Sequence, residues 1–295
     1  MEWQPDWGLR GRMFLTMTLL GVLYVVFLAV LWEAFQNLLL VVVLFGSFTL
    51  VQFLFSDRLT LYSMGARAVD PAEYPQLHRS VDRLAQQADL PKPTVAVADS
   101  DVPNAFATGR SQRSAAVCVT TALLSTLTQE ELDGVIAHEL AHVKNRDVMV
   151  MTIASFLSTI AFLIVRWGWL FGGRRREGGA SIAVAILVSL LVWIVSFVLI
   201  RTLSRYREYA ADRGGALITG NPSALASALL RIDDSVGQLP TEDLREQAEM
   251  NAFFIIPIRK GAIGRLARTH PSTENRVEKL RELERDLGGG GGPMR

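Results

Sequence analysis

The sequence has little cysteine, with Cys118 alone among 295 residues. No disulfide framework can form within one chain, which fits a reducing compartment. It has no excess of either charge: 30 Lys and Arg against 29 Asp and Glu leave a formal net charge of +1. That balance leaves no excess to recruit nucleic acid or an acidic partner and does not support a basic-patch function. No internal repeat is present. Histidine is also scarce, at four residues.

Long hydrophobic runs are abundant instead. Half of the residues are hydrophobic, and they fall into four blocks: Met13–Trp32, Leu38–Phe55, Val148–Val165 with Trp167–Phe171 behind Arg166, and Ala180–Ile200. Each is close to the roughly 20 apolar residues that a helix needs to cross the hydrocarbon layer. The pattern predicts a mainly α membrane protein with four transmembrane helices. The first block follows Arg10 and Arg12. Its apolar core is too long for a signal peptide, and no small-x-small pattern precedes Glu33, so it reads as a retained anchor.

Flanking charges set the orientation. Arg10, Arg12, Arg58, Arg67, Lys144, Arg146, Arg201, Arg205 and Arg207 all fall on one side if every block crosses, whereas the turn "EAFQN" has no basic residue. The termini are therefore expected in the cytoplasm. The loop "RWGWLFGGRRREGG" carries Arg166 and Arg174–Arg176 on the other side, which leaves open whether residues 148–201 cross fully.

Between the blocks lie two polar regions. In "DPAEYPQLHRSVDRLAQQADL", Leu77, Val81, Leu84, Ala85 and Ala88 recur at helical spacing, predicting an amphipathic helix on which His78 is a packing or surface residue. "TVAVADS", "NAFATG" and "AAVCVT" predict a small sheet with a hairpin between the last two. A strand such as "NAFATG" beside a cleft can also hold an extended peptide through its backbone edge, although a structural strand is the default. After Arg207 come helices around "NPSALASALLRIDD" and "STENRVEKLRELERDL", and the chain ends in the flexible tail "GGGGGPMR".

The chemistry sits in "DGVIAHELAHVKNRD". Thr128 and Glu131 have the pattern of a capping box that starts a helix near Gln129. On it His138 and His142, four residues apart, face one way and can reach one metal ion. Glu139, one step around, can touch a metal-activated water without being a ligand, which is the H-E-x-x-H arrangement of zinc peptidases. The metzincin extension is excluded, because Asn145 and Val148 stand where Gly and His are required. A carboxylate from a later helix is the other solution, and "SRYREYAADRGG" offers Glu208 as third ligand. Asp212, one turn on, can hold a ligand histidine's N–H.

"NAFATG", "VIAHELAHVKNRD", "SRYREYAAD" and "THPSTENR" stand in the order found in HtpX-like membrane zinc metalloproteases. The chain resembles this HEXXH gluzincin family, which is related to the CaaX prenyl endopeptidases. The resemblance implies one Zn2+ per chain, held by His138, His142 and Glu208, with Glu139 as catalytic base and Asp212 supporting a histidine. It implies substrate contacts along Asn104, Ala105 and Phe106, and places His270 of the His-Pro motif near the cleft. On the residues alone His270 is a loop histidine and Arg276 a structural ion-pair partner.

The implied protein is a multi-pass cell-membrane endopeptidase with a cytoplasmic α+β zincin-like domain. Its substrates are unfolded or damaged membrane polypeptides in quality control and stress, its other partner is the lipid bilayer and not nucleic acid, and a homo-oligomer is left open. The expected layout is an N-terminal transmembrane hairpin (1–56), a protease region with the H-E-x-x-H helix (57–147), a second hairpin (148–201), a region with the third ligand (202–287) and the tail (288–295). Two alternatives share some features: a CaaX-type prenyl endopeptidase and a noncatalytic, zinc-stabilised membrane scaffold. Glu139 argues against the scaffold, since a structural site needs no base beside its ligands.

Overall fold

The structure is a computed structural model that describes residues 6–34, 38–167, 179–238 and 271–289. It forms two compact units, one from Pro5–Phe55 and Met149–Tyr206, the other built mainly from Ser56–Val148 and the chain from Arg207 onward.

The first unit is helical, with α1 (Trp7–Ala34), α2 (Leu38–Ser63, its last turns in the other unit), α6 (Asp147–Trp167) and the first part of α7 (Gly179–Thr219). Leu20, Tyr24, Phe27 and Leu31 form a stripe on α1 that packs with Ala154, Ile160, Ala161 and Ile164 of α6 and Val192 of α7. Of the few polar groups inside, Tyr24 donates to the Ala154 carbonyl at 2.6 Å and Ser196 Oγ to Ser158 Oγ at 2.9 Å, while the buried Ser189 Oγ has no hydrogen-bond partner among the described residues. The outward positions are apolar as well, among them Val22, Val25, Val26, Leu187, Leu191, Ile194 and Val198. A unit that is apolar on its outer face suits lipid rather than water. Among the described residues three helices are long and apolar enough to cross a membrane: Trp7–Trp32, Asp147–Arg166 and Ala183–Thr219. The expected fourth, Leu38–Phe55, is helical within α2 but is not among these three, and many of its side chains, the loop 168–178 and most of the tail lie outside what the structure describes.

The second unit holds a four-stranded sheet: β1 (Ala66–Ala68), β2 (Thr94–Ala98), β3 (Ala105–Thr108) and β4 (Ala116–Thr120) in the order β1-β2-β4-β3. β3 and β4 make the expected antiparallel hairpin, with Phe106 opposite Cys118. β2 runs parallel to β4, with Ala96 opposite Cys118, and β1 pairs antiparallel with β2. Around the sheet lie α3 (Pro75–Gln87), α4 (Thr121–Thr126), α5 (Gln129–Lys144), α8 (Pro222–Gln238) and α9 (Thr273–Gly289).

Alternation along the strands splits the sheet into two faces. Val95, Val97, Ala105, Val117 and Val119 join the main core with Leu77, Val81 and Leu84 of α3 and Val135, Ile136 and Leu140 of α5. Each Val, Leu and Ile among them contributes about 1.5–3 kcal/mol on burial. The other face, with Ala96, Ala98, Phe106 and Cys118, is covered by Leu61 and Met64. His78 is a packing residue, its Nε2 3.0 Å from the Val69 carbonyl. α5 begins at a complete capping box: Glu131 Oε2 accepts the Thr128 N–H at 2.9 Å, and Thr128 Oγ1 accepts the Glu131 N–H at 3.4 Å. Both sheet faces and α5 are thus fixed by apolar burial, leaving the polar groups of α5 to be matched from elsewhere.

Candidate metal centre

Three helices converge on the polar face of α5. α7 comes closest at Gly215, where an added Cβ would stand 2.8 Å from the His138 nitrogen. α9 docks on α8 through Val277, Leu280 and Leu283, and Lys279 lies over the Tyr209 ring of α7 at 4.3 Å. This packing brings Glu208 and Asp212 of α7 and Arg276 of α9 to the two histidines.

His138 Nε2 and His142 Nε2 are 3.1 Å apart. Glu208 supplies Oε1 at 3.4 Å from His142 Nε2 and Oε2 at 3.7 Å from His138 Nε2, and one donor atom from each of the three residues falls within 4.8 Å of the others. Donors at about 2.0–2.1 Å on a tetrahedral zinc lie ~3.3 Å from one another, so these separations fit one zinc ion with two nitrogen donors and one oxygen donor. The remaining ring nitrogens are committed elsewhere. His138 Nδ1 donates to Asp212 Oδ1 at 3.0 Å and His142 Nδ1 to Asp147 Oδ2 at 2.6 Å, which turns both Nε2 atoms to the shared space, with Arg276 Nη2 also 3.4 Å from His138 Nε2.

The electrostatics follow from burial. Burial pushes His138 down to about 4, with the charges of His142 and Arg276 acting the same way against its bond to Asp212. It is therefore neutral, as a metal ligand must be. Burial also acts to lower His142, but the hydrogen bond and charge of Glu208, helped by Glu139, outweigh it and raise the ring above its ordinary value. Burial pushes Glu139 up to about 7, the charge of Glu208 adding to this and that of His142 opposing it. Glu139 Oε2 accepts the N–H of Ala107 at 2.8 Å, which joins this carboxyl to strand β3.

Arg276 is buried at 1 % exposure. Its Nε donates to Asp212 Oδ2 at 2.9 Å and its Nη2 to Asp212 Oδ1 at 2.6 Å, while Nη1 stands 3.5 Å from Glu208 Oε2. It is an ion-pair partner, and the pair lies directly behind the donor cluster. Asn104 is buried at the start of the hairpin, where its N–H donates to Thr120 Oγ1 and its carbonyl accepts the Thr120 N–H, both at 2.9 Å. Ala105 and Phe106 are buried on opposite faces of the sheet. His270 lies outside the described residues.

Asp147, Arg207 and the Ala107 N–H were not legible as parts of this cluster. Asp147 is five residues beyond His142, a spacing that does not share a helix face. Arg146 takes φ +55°, which turns the chain between α5 and α6 and returns Asp147 to the ring. A polar residue just past a helix end was the only available signal.

Residues 71–284 match peptidase family M48, a span that includes α5, the Glu208 turn of α7 and Arg276. The protease HtpX homolog of Moorella thermoacetica is 53% identical over 288 residues, covering 96% of each chain. Protease HtpX homolog 2 of Methanosarcina mazei is 50% identical over 291 residues, covering 97% of this chain and 99% of its own. Protease HtpX homolog 1 of Streptomyces coelicolor is 49% identical over 293 residues, covering 97% and 96%. The fold is similar to the crystal structure of S. mikatae Ste24p, with a TM-score of 0.55 at 20% identity, covering 88% of this chain and 62% of that one. With identity at this level over nearly the whole length, together with apolar helices long enough to span a membrane and a His-His-Glu cluster, the chain is a membrane metallopeptidase acting on polypeptides and belongs to peptidase family M48.

Proposed function

We propose that the chain is a zinc-dependent endopeptidase that cleaves misfolded or damaged membrane proteins as part of quality control under stress. In this reading four helices, α2 among them, hold it in the plasma membrane, and residues 57–147 and 202–287 form one protease domain on the cytoplasmic side. The absence of basic residues in "EAFQN" against the arginines at the opposite ends of the spans supports that side. A homo-oligomer is compatible with the reading and not required by it.

The observation that carries the proposal is the approach of His138 Nε2, His142 Nε2 and a Glu208 oxygen with Glu139 beside them. These three residues hold the zinc. When bound, zinc supplies Lewis acidity toward the scissile carbonyl and the attacking water. Glu139 takes the water's proton and passes it to the leaving amine; a carboxyl raised toward neutrality by burial suits both transfers. Its bond from Ala107 fixes one oxygen and leaves Oε1 for the proton. Asp212 keeps the proton of His138 on Nδ1.

β3 ends the described sheet order. Asn104 pairs inward with Thr120, so alternation turns the backbone groups of Ala105 and the carbonyl of Ala107 to the outer edge, the Ala107 N–H being held by Glu139. A substrate strand laid along Asn104, Ala105 and Phe106 would bond through its main chain, which does not read side chains and so suits varied unfolded sequences. His270 is assigned as a donor to the carbonyl oxygen as charge develops there.

The test is Glu139→Gln in the purified full-length protein, with zinc content and cleavage of a casein-like unfolded substrate measured together. Unchanged zinc with cleavage reduced by about 10²–10⁴-fold is expected. Unchanged cleavage would remove Glu139 from the chemistry and the proposal with it.

A further inference from the structure

Each ligand histidine is backed by the same chain of groups. Behind His138 stand Asp212 and then Arg276. Behind His142 stand Asp147 and then Arg207, and the elements that supply them are different. Asp147 Oδ2 accepts the His142 Nδ1–H at 2.6 Å. Its other oxygen, Oδ1, is ion-paired with Arg207 Nη2. The same Nη2 donates to the Asn145 carbonyl at 2.9 Å. Asp147 is 7% exposed and Arg207 6%.

The location of the pair matters. Asn145 is the C-cap residue of α5 and Asp147 the first residue of α6, so Arg207 grips the turn on both sides of Arg146, whose φ of +55° brings Asp147 back to the ring. It also answers one of the carbonyls that a helix end leaves without an intrahelical partner. Arg207 directly precedes Glu208 on α7. The side chain that fixes the second histidine and the carboxylate that joins it in the cluster are thus adjacent on one helix.

We infer that Arg207 is a positioning residue of the metal centre, acting through Asp147 to set the tautomer and ring orientation of His142. A buried carboxylate that loses its cation is left as an uncompensated charge. It then turns away, and the imidazole is released to carry its hydrogen on Nε2, the nitrogen the metal requires. Arg207 touches no donor atom of the cluster in this role; its effect passes through the carboxylate. The inference rests on the reading of His142 as a zinc ligand.

The experiment measures zinc affinity of the full-length protein in detergent by competition with a chelator, for Arg207→Gln, Asp147→Asn, the double variant and His142→Ala. Partners of ligand histidines typically change metal affinity by about 10–100-fold. Arg207→Gln is expected to weaken zinc about 10-fold and to shift the visible absorption of the cobalt-substituted protein, a signature that loss of stability alone does not produce. The double variant is expected to bind no more weakly than Asp147→Asn alone. Should Arg207→Gln fail to fold, Arg207→Lys is measured instead, with a weakening of several-fold expected, because the shorter fork-free side chain cannot serve both Asn145 and Asp147. Wild-type zinc affinity in the Arg207 variant, or additive weakening in the double variant, while His142→Ala loses zinc, overturns the inference alone. Retention of zinc by His142→Ala overturns the metal-site reading and this inference together.

Discussion

Gly215 of α7 lies against the backbone of His138, so close that a Cβ at position 215 would stand 2.8 Å from the His138 nitrogen and 2.9 Å from its Cα. The helix carrying Glu208 and Asp212 therefore meets the helix carrying the histidines backbone to backbone. The neighbour at this contact is main chain, which cannot rotate away. Gly215→Ala is expected to push α7 off α5, separate Glu208 from the imidazoles and lower zinc affinity at least about 10-fold, the size of effect seen when a ligand's orientation is lost. Zinc titration and cleavage assays on this variant check it, and full retention of both would show that the helices have room.

Glu208 is the only carboxylate among the described residues grouped with both histidines as a possible metal ligand. Glu208→Ala is expected to release zinc during purification and abolish cleavage, as measured by metal analysis. If metal content and activity both survive, the third ligand lies elsewhere.

Arg276→Met removes the cation from a fully buried carboxylate pair with Asp212. Breaking such a pair by deleting one partner costs about 3–5 kcal/mol, so a clear drop in the thermal midpoint of the detergent-solubilised protein is expected. Arg276→Lys keeps the charge but loses the two-point fork and should fall between. A Met variant as stable as the parent would show that the pair contributes nothing net.

Cys118 is fully buried in the centre of β4, and burial pushes its thiol up to about 12, against a weaker opposing backbone hydrogen bond from Ala98. Only the thiolate reacts. A thiol reagent at pH 8 is therefore expected to leave the native protein unmodified and to label one site after denaturation. Stoichiometric labelling of the native protein within minutes would contradict the packing.

Glu131 is depressed below its ordinary 4.5: burial acts to raise it, but hydrogen bonds from Ser227 at 2.6 Å and from Thr128, with the charge of Arg231, win. A depressed carboxyl adds stability that is fully present above the unfolded value and is lost as pH falls through the folded one. Glu131→Gln is thus expected to destabilise near neutrality, by about 1 kcal/mol as for other lost helix caps, and to match the parent at a pH well below 4.5. Melting curves at the two pH values test the sign.

The residues that sequence determined are those whose relation is local. The capping box at Thr128 and Glu131, the i to i+4 spacing of His138 and His142 and that of Glu208 and Asp212 follow from helix periodicity, which a few neighbouring residues set. The β3–β4 hairpin follows from strand-forming runs joined by a short turn. Tertiary structure decided what depends on the crossing of distant segments. β2 pairs parallel with β4, so β3 becomes the outer strand, and β1 is too short to announce itself. The approach of α7 at Gly215, the fork of Arg276 on Asp212, the Ala107 N–H on Glu139 and the Arg207–Asp147 pair behind His142 all join elements far apart in the chain. Side-chain chemistry sets what each of these groups can bind. Which partner it meets is set by how the helices pack over the sheet, because burial drives that packing without reading the polar groups it brings together.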